Sequence, residues 1–346
     1  MRKAASTSTT ARQLGRLAGV AGAVVWLAMV TAAWAQDTVH LASGGRTGGR
    51  VIDYTGRQLV LELAGGLRRT IPGDQVVAVE TTKTPQEADG DRAAARGDFG
   101  AALALYRVAR QAEPRVWVRR QLTAKIVWCH RALGQLERAC REFLVLIASD
   151  PQTPELDCIP LAWLPTPPPV ALEQSAEEWV AGNQGPAVAL LGASHLLSTA
   201  ARPRALNRLK QLALGSDRAV ALLAVAQTWR TQVATVAPEQ LEAWQRAIET
   251  MPHRLRAGPY YVLAQGWRNQ GQWEQAALAL MRIAILYRRH YRLAGQSLWE
   301  AGQMLERLDR PEQASRLYRE LVGDFSNTPA SPQAADRLKE LARTEG

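Results

Sequence analysis

Between residues 37 and 81 apolar side chains alternate with polar ones in short runs. Val39/Leu41, Leu59/Leu61/Leu63 and Val77/Val79 each set every second residue on one face, the period of a half-buried strand. The runs TVHLA, GRVIDY, QLVLEL, LRRTI and QVVAVE are separated by turns at Gly44-Gly45, Gly56, Gly65-Gly66 and Gly73. Five strands so closely spaced predict a small antiparallel β-barrel over residues 36–82. The stretch SGGRTGG, residues 43–49, lies between two of them and reads as a hairpin turn. Past Thr82 the period changes. Alanine and leucine recur three and four residues apart, which predicts helices over 83–154, 171–252 and 253–346, the last closed by a helix at 331–343. Residues 149–170 interrupt this pattern with seven prolines, which no helix can run through. Ile159, Leu161, Trp163 and Leu164 predict that this proline-rich loop, 155–170, packs as a crossover between two helical blocks.

The helical part repeats itself. Gly97, Phe99, Ala102, Tyr106, Ala109 and Pro114 have the same spacings as Gly134, Leu136, Ala139, Phe143, Leu146 and Pro151. Gly271, Trp273, Ala276, Leu280 and Ile283 form a third copy. A fourth keeps Ala314, Tyr318 and Leu321 but starts at Asp309 in place of glycine. Upstream of the third copy stand Tyr260, Leu263, Ala264 and Trp267, and upstream of the fourth Leu298, Gly302 and Leu305. Small residues suit places where two antiparallel helices approach closely, the glycine suits the turn between them, and the aromatics fill the gap to the next pair. Residues 171–252 look like eroded versions of the unit, with Ala187 and Ala247 as contact positions.

This pattern resembles the tetratricopeptide repeat (TPR), and the strand-rich start is similar to small barrels of the SH3-like or Sm-like kind. Units here recur at 37 or 38 residues, against about 34 in the family, and the third and fourth copies lack the closing proline. That lengthening is similar to irregular repeats of bacterial envelope proteins. The fold class expected is mainly α: a TPR-like α-solenoid of antiparallel helix pairs preceded by a five-stranded antiparallel β-barrel.

The extreme N-terminus reads differently. Arg2, Lys3, Arg12 and Arg16 precede an apolar run, residues 17–35, that ends in Ala33-Trp34-Ala35. A basic segment, an apolar run and small residues before a cut are the features of a secretory signal peptide. Cleavage after Ala35 and a periplasmic or cell-envelope location are expected; the alternative is an uncleaved inner-membrane anchor formed by residues 17–35. Without the signal's four basic residues the net charge of +10 falls to +6, spread along the chain with no basic block, which speaks against a nucleic-acid partner. Cys129, Cys140 and Cys158 remain. Cys129 and Cys140 flank Gly134 on consecutive helices and are placed either for a disulfide or as small buried thiols. The three do not form a zinc set.

No short catalytic, phosphate-binding or dinucleotide-binding motif is present, and the five histidines are scattered. A non-enzymatic protein without cofactor or metal is expected. The resemblance implies that the first helix of each pair lines a groove. Projected on that pattern, the groove residues are Gln121, Trp128 and Arg131, then Tyr261, Gln265, Arg268 and Asn269, then Trp299, Gln303 and Arg307. Aromatics beside arginine and amide groups suit an extended peptide or its carboxylate. The expected function is an exported scaffold or adaptor holding protein or peptide segments. The alternative is binding of an envelope polymer such as peptidoglycan by the barrel, with the repeats as a spacer.

Overall fold

Strand β1 (Asp37–Leu41) pairs antiparallel with β2 (Arg46–Tyr54) and with β5 (Val76–Glu80), β2 with β3 (Gln58–Glu62), and β3 with β4 (Arg68–Pro72). A single turn of 3₁₀ helix, Gly73–Gln75, leads into β5. The structure, a computed structural model, describes residues 37–344; the signal or anchor segment lies outside the described residues. The strand order β4-β3-β2-β1-β5 leaves the sheet open, so the closed barrel expected from the strand count is not formed. The reason lies in what covers the apolar face. Val39, Val51, Leu59, Leu61 and Ile71 share one core with Ala93, Ala102, Tyr106, Trp117, Leu122 and Ile126 of the first three helices. Trp117 crosses onto the sheet and its indole Nε1 donates to the Val51 carbonyl at 3.2 Å. The hairpin turn at Ser43 is shorter than the glycine-rich stretch around it, because Arg46 to Gly49 already belong to β2.

Fourteen helices follow among the described residues. The first block is α1 (Pro85–Ala95), α2 (Phe99–Ala112), α3 (Val116–Ala132) and α4 (Leu136–Ser149). The middle holds α5 (Val170–Ala181), α6 (Pro186–Leu196), α7 (Arg202–Ala213), α8 (Arg218–Trp229) and α9 (Pro238–Thr250). The last block is α10 (Ala257–Asn269), α11 (Trp273–Leu286), α12 (Tyr291–Arg307), α13 (Pro311–Asp324) and α14 (Ala330–Thr344). None is both long and apolar enough to cross a membrane.

The four sequence copies share one backbone device. Gly97, Gly134, Gly271 and Asp309 all have positive φ, at 78°, 72°, 70° and 56°. In each case the next residue donates its N–H to a carbonyl five positions back: Asp98 to Ala93, Gln135 to His130, Gln272 to Trp267 and Arg310 to Leu305, at 2.9–3.0 Å. This is the Schellman closure of a helix, and it needs a left-handed residue. Asp309 occupies that conformation with a side chain on it, which costs an L-residue about 1 kcal/mol. Asp309→Gly is therefore expected to raise stability by roughly 0.5–1 kcal/mol. A urea titration showing no gain in midpoint would mean that the Asp309 side chain compensates locally.

A second device recurs at a spacing of sixteen residues. A Cβ added at Gly90 would lie 2.7 Å from the Tyr106 ring, and one at Gly302 would lie 2.2 Å from the Tyr318 ring. The aromatic of the second helix thus rests on bare backbone of the first. In the middle block the pattern fades as the sequence suggests: Ala187 is buried, but Ala247 is only half-buried.

Helix α3 divides two cores. Trp117, Leu122, Ile126 and Cys129 belong to the core that the sheet shares with α1 and α2, while Ala124, Val127, Trp128 and Ala132 belong to the larger core that runs on to α14. Cys129 and Cys140 therefore sit in different cores and all three cysteines are free thiols. Burial pushes the Cys129 and Cys140 thiols up to about 12.

The array is not strictly linear. In a one-dimensional stack each unit touches only its neighbours, yet α12 packs on α3. Trp128 and His290 meet edge to face at 4.8 Å, and Phe99 and Tyr291 at 4.7 Å. The chain turns back through the proline-rich loop, where Ile159, Leu161 and Trp163 are buried. A buried loop must find partners for its own peptide groups. His195 Nε2 donates to the Pro160 carbonyl at 3.0 Å, Ser194 Oγ accepts from Ala162 N at 2.8 Å, and Gln227 Nε2 donates to the Ala162 carbonyl at 3.2 Å. Arg131 donates to the carbonyls of Asp157 and Cys158, and Arg230 to that of Leu164.

Three histidines are held neutral here. Burial lowers the pKa of His130, of His195 to about 4, and of His290 far below the usual imidazole range. A folded pKa below the unfolded value means that the stabilisation is complete above about pH 6.5 and is lost as pH falls toward the folded value. By pH 5 His195 alone accounts for a loss of about 2 kcal/mol. Melting followed by circular dichroism should show a steep acid slope that His195→Gln makes shallower. An unchanged slope in that variant would remove His195 from the account.

Candidate binding cleft

Helices α10 and α12 lie in adjacent pairs and face each other across a buried carboxylate. Glu300, 5% exposed, lies on α12 one turn from the small, buried Ser297 and next to the buried Ala301. Small neighbours leave room for long side chains to reach it. Tyr261 Oη donates to Glu300 Oε1 at 2.7 Å, and Gln296 Nε2 donates to the same oxygen at 2.8 Å. Gln265 Nε2 donates to Oε2 at 2.6 Å, with the Arg268 guanidinium 3.6 Å from that oxygen. Three expected groove residues, Tyr261, Gln265 and Arg268, thus converge on one acid outside the expected set. Burial and the adjacent carboxylate hold the Tyr261 phenol well above its ordinary range. Tyr261 is itself buried, so it braces the cleft and presents no free hydroxyl to a ligand.

Two concavities meet at this hub. One, of about 410 Å³, lies among Trp163, Pro165, Arg202, Arg230, Tyr261 and Gln265; the other, of about 720 Å³, lies among Trp273, Trp299, Gln303, Glu306, Arg307 and Arg337. Arg268 and Asn269 line both. Asn269 is held in place by donating from Nδ2 to the Val233 carbonyl at 2.8 Å. Trp299 is half-buried and tilts against Tyr318 with ring centroids 5.2 Å apart. The Arg307 guanidinium lies 4.7 Å from the centre of the Trp273 ring. The cleft therefore offers three indoles, fixed amides and a row of guanidinium groups, which suits a chain with carboxylates and flat or apolar side chains.

The first block contributes differently. Gln121 is half-buried on α3 and lines neither concavity. Trp128 and Arg131 lie together, the guanidinium 4.1 Å from the centre of the indole, with Arg289 on the ring at 5.0 Å. Burial lowers the Arg131 pKa to about 10, and its donors are spent on loop carbonyls and on His290 Nδ1. Arg131 is a positioning group for the loop. Seven of the ten expected residues thus fall at the cleft, Trp128 and Arg131 at the seam where α3 meets α12, and Gln121 lines neither concavity.

Glu300, Trp273, Arg337, Trp163 and Arg230 were missed. Trp273 opens the second helix of its pair, and Arg337 comes from the closing helix, so a rule drawing only on first helices passes over both. Glu300 does carry a signal, an acid in an otherwise small and apolar helix face. Among the described residues no group of three or more His, Cys, Asp or Glu side chains is placed to hold a metal ion. No family model matches the chain, and no curated protein matches it.

Proposed function

We propose that the protein is an exported, TPR-like interaction scaffold that seats an extended peptide segment of a partner in the cleft of α10 and α12. The observation that carries this reading is the pair of concavities joined at Arg268 and Asn269 and braced from beneath by Glu300. A cleft whose side chains are already fixed binds without a large ordering cost. The four identical helix closures and the glycine–aromatic contacts support the TPR-like reading of the array. The strand order, with a 3₁₀ turn before β5, supports an SH3-like reading of the sheet. Export rests on the N-terminal sequence. The polymer-binding alternative gains nothing from the sheet, whose apolar face is taken up by α1–α3.

A photo-crosslinking residue at Gln303, with another at the exposed Arg218 on α8 as reference, tests the cleft in envelope extract. One defined product from Gln303, absent from Arg218 and lost on adding Arg268→Ala and Arg307→Ala, is expected. No product, or the same products from both positions, would refute the cleft as the binding surface.

A further inference from the structure

A third concavity, separate from the cleft, lies on α3. It is a recess of about 960 Å³ walled by α2 and α4 and floored by α3. Arg107, Arg110, Arg119, Arg120, Arg138 and Arg141 line it, with Glu142 as the sole acid in the lining. The walls are tied together, because Arg110 Nη1 donates to Glu142 Oε2 at 2.7 Å across the recess. Glu142 is thereby used. Arg120 is used as well, paired with Asp53 of β2 at 3.1 Å. None of the other four guanidiniums makes an ion pair with a carboxylate among the described residues: Arg119 donates to the Glu113 and Pro114 carbonyls and lies close enough to the Glu113 carboxylate to help lower its pKa, Arg138 donates only to Gln135 Oε1, and Arg141 donates to nothing. Arg107 donates to the Nε2 of buried, neutral His130 at 3.3 Å, which aims it without cancelling its charge.

We propose that this recess is a second binding site and takes an acidic peptide segment of a partner protein. Planar guanidinium forks match carboxylates in paired hydrogen bonds. Arginines facing one another without counter-charges raise the local potential and attract an anionic segment. The apolar component of the site is Val116 and Val145, 44% and 59% exposed at its walls, which suit aliphatic side chains between the acids. No Phe, Tyr or Trp side chain lines the recess and the His130 ring is buried, so unpaired bases would lack an exposed aromatic platform. A flat bilayer would meet only the rim. The volume falls within the range of pockets that enclose a ligand, roughly 300–1,000 Å³, and so admits a segment and not a folded domain.

The test uses the full chain and fluorescent peptides of alternating Glu and Leu, with the Gln/Leu counterpart as control. One variant carries Arg107→Gln, Arg138→Gln and Arg141→Gln; another removes equal charge elsewhere through Arg204→Gln, Arg218→Gln and Arg316→Gln. Both should first give the parent's circular dichroism and melting curve. The acidic peptide is expected to bind the parent with an affinity that falls with salt, to lose about tenfold or more in the first variant, and to keep its affinity in the second. The idea is overturned by equal losses in both variants, by equal binding of the Gln/Leu peptide, or by absence of binding at low salt. It is equally overturned if single-stranded oligonucleotide or anionic vesicles bind through these arginines more tightly than the peptide.

Discussion

Gly258→Ala is expected to lower the melting temperature by several degrees, a large effect for one added methyl group. The Cβ would lie 1.9 Å from Cε2 of Trp163 and 2.2 Å from Cδ2, inside the face of the indole. Trp163 cannot swing aside freely, since it is buried and its neighbours Pro160, Ala162 and Leu164 are held through their carbonyls. Overpacking of this kind costs about 1–3 kcal/mol, and more where the neighbour is fixed. Trp163→Ala should be worse alone, at about 3–5 kcal/mol, because it empties the site under the loop. The two changes act on one contact, so the double variant should be destabilised by clearly less than their sum. Denaturant midpoints of all four proteins check this. Strict additivity would show that the clash is relieved elsewhere.

Glu300→Ala should have the second large effect, about 3 kcal/mol of stability together with the binding proposed for the cleft. Removal of the carboxylate leaves the Tyr261 hydroxyl, two glutamine amides and a guanidinium without their acceptor, and buried donors left unpaired lose their full desolvation energy. Glu300→Gln keeps the volume and one acceptor oxygen and should recover about half of the loss. The phenol provides a readout that a mere cavity would not move. With the carboxylate gone, Tyr261 should ionise at lower pH, detectable as a shift in the alkaline ultraviolet titration. An unaltered titration in Glu300→Ala would remove Tyr261 from the network.

Much of the architecture is legible along the chain because it is written in local terms. Strands β1 to β5 fall within a few residues of their alternating runs, since period two and glycine turns are short-range signals. The helix pairs are equally plain. Asp309 even marks the one repeat turn where a side chain tolerates positive φ in place of glycine. What could not be read is set by distant partners. The sheet stays open because Trp117 and the first helices cover its face, and nothing in the strands announces that. Trp128 and Arg131 fit the groove pattern on α3, yet His290, 159 positions from Arg131, takes them into a seam. The spacing of Tyr261, Gln265 and Arg268 was visible, while the acid they share lies two helices away. The arginine recess escaped for the same reason, being assembled from three helices with no dense basic run on any of them.

The contact of α3 with α12 bears on how such a chain is able to change over evolutionary time. An open array tolerates gain or loss of a unit, because the newcomer meets only two neighbours. Here the number of helices between the two ends of the contact is fixed by the distance they must travel to meet. Insertion or deletion of one pair would separate Phe99 from Tyr291 and Trp128 from His290. Duplication, the usual route by which repeat proteins diversify, is closed to this one between α3 and α12. Variation there is left to the side chains that line the cleft and the arginine recess.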